Sequence, residues 1–219
     1  MNIYIKTAIT TTTIFVIGIL LGLTLSSEKV SQLESDMYDL QENMESVELQ
    51  FMFLETMEED ISCESLSKEA LFLGSETQAL AKQVELYEST AKLDETEFKQ
   101  LKSEYMLTLI KDWLFLEKIK QNCDSEYITV VYFYSNTYCA DCEEQGVFLS
   151  YFKSKLDENL QVFSIDTDLD LRIISSIEAS YNITEYPSLI INGNRYEGLM
   201  DKEQLTEIFC ANQPELNIC

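Results

Sequence analysis

The chain of 219 residues contains no histidine, only two prolines, six glycines and one tryptophan, and its 15 basic residues stand against 39 acidic ones. The shortage of positive charge, a formal net of -24, argues against nucleic acid as a partner, because phosphate repulsion would dominate any encounter. Acid is spread evenly, with 22 acidic and 9 basic residues from Glu28 to Cys123 and 17 and 5 from Asp124 onward, which reads as a solvated surface rather than a dedicated cation site. The lack of histidine removes the commonest metal ligand. Proline is missing altogether between Glu28 and Cys123, where Gly74 is the single glycine, so that stretch is expected to form long helices with few internal breaks.

What is present begins with an apolar N-terminus. Ile3 to Leu25 carries one charge, Lys6, and TAITTTTIFVIGILLGLTL is uncharged over 19 positions, enough to cross about 30 Å of hydrocarbon as a helix. A cleaved signal peptide is the competing reading, but LTLSSEK lacks an A-x-A pattern, which favours an uncleaved anchor over residues 1–27. Either way the rest of the chain is exported, and in an oxidising compartment the six cysteines, 63, 123, 139, 142, 210 and 219, can persist as disulfides.

Residues 28–123 read as a helical stalk. Val30, Met37, Met44 and Phe51 fall on one register of a seven-residue repeat and Leu33, Leu40, Val47, Leu54 and Ile61 on the other, an a/d seam. A second seam runs through Leu66, Leu73, Leu80 and Tyr87 with Ala70, Thr77, Val84 and Ala91. A third, more apolar segment, Glu95 to Asn122, is expected to turn Phe98, Leu101, Tyr105, Leu109, Trp113 and Leu116 inward. Breaks near Ser62–Ser65 and Leu93–Asp94 make antiparallel neighbours, hence an up-down-up three-helix bundle. That geometry brings Cys63 and Cys123 to the same end and predicts a disulfide between them. The same seams also suit a coiled coil between chains, and with it a homo-oligomer. Met37, Met44, Met52 and Met57 are read as core rather than as a soft-metal site.

After Cys123 the period changes. YITVVYFYS (127–135) reads as a buried strand, followed by a helix to about Leu156 and a strand at 160–166. A helix at about 170–181, strands at 188–193 and 194–199 and a last helix at 201–210 complete the order β-α-β-α-β-β-α. The first crossover predicts parallel strands, and Asn192-Gly193-Asn194 an antiparallel hairpin. Between the first strand and its helix stands CADC, Cys139 to Cys142. Close thiol pairs serve metal binding, structural crosslinking or thiol–disulfide exchange. Metal binding is disfavoured, since zinc or an iron–sulfur cluster needs about four ligands and there is no second C-x-x-C.

The strand VVYFYS leading into CADC at a helix start, with a proline before a strand about 45 residues later in TEYPSLIING, resembles the thioredoxin superfamily over residues 124–210. The resemblance implies an α/β thioredoxin-like domain within 124–219 and thiol–disulfide exchange without an organic cofactor. Residue by residue, it implies that Cys139 is the exposed nucleophile and Cys142 the buried resolving thiol. Pro187 would be a cis-proline beside them, and Tyr186 would shape the substrate path. A helix N-terminus favours a thiolate, whereas Asp141, Glu143 and Glu144 oppose it and should make the disulfide harder to reduce. Ala140-Asp141 replaces the common Gly-Pro, Tyr138 the common Trp, and Phe133 the buried acid six residues before the nucleophile. Cys210 and Cys219 are expected to close the tail by a structural disulfide.

The expectation is therefore a membrane-anchored, extracytoplasmic reductase or isomerase, not a strong oxidase. Its partners would be exported cysteine-containing proteins and a membrane electron donor or acceptor that recycles the pair. The competing expectation is a non-catalytic scaffold that docks partners through the Pro187 groove.

Overall fold

The computed structural model describes residues 11–17, 63–90, 95–123 and 125–219, and the chain divides into two compact units, Met1–Ile61 and Ser62–Cys219. In the first, residues 11–17 are helical (α1). The remainder of the expected membrane span and the whole first heptad seam, Val30 to Ile61, lie outside the described residues. Among the described residues no helix is long and apolar enough to cross a membrane.

The second unit starts with α2 (Cys63–Thr90) and α3 (Glu95–Asn122), which pack as an antiparallel pair. Their far ends are tied by the Cys63–Cys123 disulfide, Cα atoms 5.8 Å apart. Bridging a sequence separation of 60 restricts the unfolded chain by roughly 4 kcal/mol in the chain-entropy account. In α2 the seam residues Leu66, Leu73, Thr77 and Val84 are buried, as a period-seven stripe facing one neighbour requires.

Six further elements build the sheet and its connections: β1 (Ile128–Tyr134), α4 (Cys142–Leu156), β2 (Leu160–Asp166), α5 (Arg172–Tyr181) and the hairpin strands β3 (Ser188–Ile191) and β4 (Asn194–Glu197). A final helix, α6 (Lys202–Asn212), follows. Strand order is β2-β1-β3-β4, with β1 and β2 parallel and the other two pairings antiparallel. Asn192 and Gly193 both have positive φ, 47° and 82°, the backbone that a two-residue Asn-Gly hairpin turn needs. The Asn192 side chain also accepts from Thr129 N–H at 3.0 Å and donates to Asn212 at 2.8 Å, pinning the turn to β1 and α6.

Strand residues alternate between two cores. Ile128, Val130, Tyr132, Leu160, Leu189 and Ile191 meet α4 and α6; Val131, Phe133, Phe163, Ile165 and Ile190 meet α5 and, unexpectedly, α3. Met106, Leu109, Ile110 and Trp113 of α3 are buried in that second core. Packing therefore runs across the expected division at 123/124: α3 covers one face of the sheet and is also the partner of α2. It thus buries two arcs of its surface, one against the sheet and one against α2. Leu109 and Trp113 are inward as expected, and Met106, Ile110, Phe115 and Ile119 join them.

The far arc of α3 holds Asp112, whose carboxyl is pushed up to about 6 by burial, with the Thr77 hydroxyl opposing that shift. A raised carboxyl pKa means that the folded state holds a proton which the unfolded chain releases near 3.8. Asp112 therefore costs stability as pH rises from about 4 to 6, and the full cost persists above that window. Asp112→Asn is expected to raise the thermal midpoint at pH 7.5 and to lose most of that advantage by pH 4, read from melting curves of the two proteins.

Candidate redox site

Cys139 and Cys142 are joined, with Cα atoms 5.5 Å apart, and all six cysteines of the chain are paired. Cys142 is the first residue of α4 and is buried; Cys139 lies ahead of the helix and is half-exposed. The CADC turn thus leads directly into α4, whose regular turns start at Cys142. Asp141 is the N-cap residue, its side chain makes no capping bond, and Glu143 and Glu144 occupy the first turn.

Three devices hold this segment. First, Ser135, Asn136 and Thr137, between β1 and the cysteines, are gathered by Asp168: Ser135 Oγ donates at 2.6 Å, Asn136 N–H at 2.8 Å, and Thr137 N–H and Oγ1 at 3.1 Å. Second, Tyr132 donates its hydroxyl to the Cys142 carbonyl at 2.5 Å from beneath the helix. Third, Gln145, fully buried, accepts from Met200 N–H at 2.8 Å and so fixes α4 to the segment before α6. Burial pushes the Tyr132 phenol well above its ordinary range, which keeps it neutral and a donor.

The position six residues ahead of Cys139 does not face the buried thiol. Phe133 belongs to the α3 and α5 core, whereas Tyr132 shares the α4 core with Cys142 and Tyr134 packs at its edge. Tyr132 was missed by reasoning from the sequence because only the strand's parity of faces selects it. That parity was available in the alternation of VVYFY once Phe133 was assigned inward on the opposite side.

The Tyr186–Pro187 peptide bond is cis and Pro187 is buried. Tyr186, like Cys139, packs against the core that contains Cys142. Its hydroxyl donates to Glu178, and its pKa is raised by burial and by that carboxylate. The Pro187 carbonyl accepts from Gly198 N–H at 2.8 Å, so it is occupied by the start of the β4–α6 connection. Cys210 and Cys219 are bonded, far from these residues in the sequence, and the closed tail buries Leu216 in the α4 and α6 core. Among the described residues no group of three or more His, Cys, Asp or Glu side chains is arranged to hold a metal ion.

No family model and no curated protein matches this chain. Similar solved structures include a malarial protein, 15% identical, covering 40% of this chain and 98% of its own, with a TM-score of 0.35. Chloroplastic thioredoxin z is similar at 20% identity over 41% of this chain and 80% of its own, TM-score 0.35. Thioredoxin-2, a component of malaria parasite protein secretion machinery, is similar at 15% over 42% and 90%, TM-score 0.35. At that overlap the likeness carries no weight for activity. The mixed four-stranded sheet between helical layers itself fits the α/β thioredoxin-like fold expected from the sequence.

Two outcomes follow from the anchoring of the cysteine loop. Burial works to raise the Asp168 pKa, but the hydrogen bonds from Ser135, Asn136 and Thr137 win and hold it below the ordinary 3.8. A depressed carboxyl pKa stabilises the fold above the ordinary value, and that contribution fades as pH falls through the folded one. Asp168→Ala is therefore expected to lower the melting temperature at pH 7, with the gap to the parent protein closing on acidification to pH 2.5. Tyr132→Phe, which removes one buried hydrogen bond, should cost about 1 kcal/mol in urea unfolding of the oxidised protein.

Proposed function

We propose that this chain is a thiol–disulfide oxidoreductase, held to a membrane by its N-terminal segment and acting outside the cytoplasm on disulfides of exported proteins. The carrying observation is the asymmetry of one cysteine pair: Cys139 is half-exposed and Cys142 buried, on the same helix-capping segment, with a cis prolyl bond immediately before the strand that pairs with β1. Exchange needs that asymmetry, because the accessible sulfur must meet the substrate and the hidden one must be reserved for resolution.

In the reducing direction the Cys139 thiolate attacks a substrate sulfur. The substrate S–S bond breaks, a mixed disulfide forms, and the first substrate thiolate leaves and takes up a proton. Cys142 then loses its proton and attacks Cys139 Sγ; the second substrate thiol departs and the 139–142 disulfide is left behind. Two electrons have passed from the protein to the substrate, and a membrane electron donor must return two to complete a cycle. In isomerisation the mixed disulfide is instead attacked by another substrate thiol and no net electrons move. The carboxylates Asp141, Glu143 and Glu144 beside the pair disfavour a thiolate and hence a strongly oxidising disulfide, which supports reductase or isomerase action over oxidase action. Export is supported by three paired disulfides, one of them the 60-residue brace. Membrane attachment is supported by the uncharged run Thr7–Leu25 and by the exposed Ile14, Phe15, Val16 and Ile17 on α1.

Insulin reduction by the full-length chain in dithiothreitol tests the reading. The parent protein is expected to precipitate the insulin B chain faster than Cys139→Ser does, with Cys139→Ser at the uncatalysed rate. Equal rates would remove the catalytic reading and leave a binding module.

A further inference from the structure

A cavity of about 430 Å³ opens beside the Cys139–Cys142 bond on the α4 side of the sheet. Its walls come from β1, the loop after β1, β2 and the first turns of α4; neither Tyr186 nor Pro187 lines it. The floor is aromatic. Tyr132 and Tyr134 both line it, and their rings stack with centroids 5.4 Å apart and planes 28° from parallel. Ser164 of the edge strand β2 and Asn136 supply polar groups, and Glu143 brings a carboxylate from the first turn of α4.

Gly146 lines the cavity from α4. It sits inside α4, where glycine is the poorest helix former after proline. A Cβ at that position would meet only the Tyr132 ring, at 3.9 Å, an ordinary contact. Neither backbone conformation nor crowding demands glycine there. Its missing side chain keeps the space beside Tyr132 clear; Tyr132 itself is buried, and the ring that solvent reaches is that of the partly exposed Tyr134.

We propose that this cavity is a specificity pocket for a lysine or arginine side chain lying close to the reactive cysteine of the substrate, a refinement that rests on the exchange activity proposed above. The partly exposed Tyr134 ring, backed by the buried Tyr132 ring stacked on it, attracts a cation and accommodates the methylene stem that carries it. Glu143 pairs with the charge, and Asn136 and Ser164 offer oxygen acceptors. An acidic side chain would meet Glu143 with Asp141 and Glu144 close by, on a chain of net charge -24. A purely aliphatic one would leave the polar wall unpaired. The pocket selects by charge at a place separate from the cis-proline segment.

The test separates binding from exchange. The full-length Cys139→Ser/Cys142→Ser protein is titrated with fluorescent peptides carrying one S-methylated cysteine and differing only in a neighbouring Lys, Leu or Glu. The Lys peptide is expected to bind about tenfold more tightly than the Glu peptide, the scale of one desolvated cation–aromatic contact. Gly146→Leu, which fills the space above Tyr132, and Glu143→Gln are each expected to reduce that preference to within about twofold. Gly146→Ala serves as the milder filling if the leucine variant does not fold. A Lys preference that survives both the filling of the space at Gly146 and Glu143→Gln would come from overall charge and would overturn the pocket, as would equal binding of the three peptides. The parent protein is assayed in parallel for reduction of hydroxyethyl disulfide and of the same peptides as disulfides. No turnover of either would defeat the exchange reading, while the peptide titrations would still decide the pocket.

Discussion

Strand β1 is hydrogen-bonded along both edges, to β2 and to β3, and covered on both faces, so the placement of every other element is fixed relative to it. All but its last residue are buried. Such a strand must be apolar on both sides, and ITVVYFY is, with Thr129 as the one small polar exception near its start. Thr129 is accommodated by pairing: its hydroxyl donates to Glu117 at 2.5 Å and its N–H to Asn192. The site inherits its rigidity from this strand. The two tyrosines on its α4 face support the helix that carries Cys142, and the residues immediately after it are captured by Asp168 from the end of β2.

Much of this was legible in the residues themselves. Val130 to Tyr134 announce a strand through β-branched and aromatic content, Asn192-Gly193 a hairpin through the only backbone such a pair favours, and CADC a break at the start of a helix. The Cys63–Cys123 bond could be anticipated because helix lengths and short connections bring those positions to one end. The double role of α3 could not. Periodicity reports how wide an apolar arc is, not which neighbour covers it, and Met106, Ile110 and Trp113 suit a bundle as well as a sheet. The exact start of α4 is not legible for a related reason, since Asp141 and Glu143 both suit a first turn and only backbone geometry shows that Asp141 is the cap. Tyr132 stayed hidden because a tyrosine in an apolar strand looks like packing until its hydroxyl is seen to have a partner.

Charge and burial act in opposite directions around the cysteine pair. The acidic first turn of α4 suits the positive end of the helix and stabilises it locally. The same carboxylates raise the free energy of a thiolate nearby. Helix stability and sulfur reactivity are thus set against each other over a few residues, and the Tyr132 hydroxyl and the Gln145 amide hold the helix in position by contacts that carry no charge.

The helix shared between two layers has a consequence for dissecting the molecule. Asp112, Phe115 and Ile119 lie on one side of α3, buried outside the sheet-facing core, while Met106, Ile110 and Trp113 are clamped beneath the strands. A fragment trimmed to begin at Glu95 would keep the clamped side and strip the shelter from the other, leaving a greasy ridge along a folded body. Shortened versions would then clump or pair through that ridge, and their association would be an artefact of the cut rather than a habit of the whole protein.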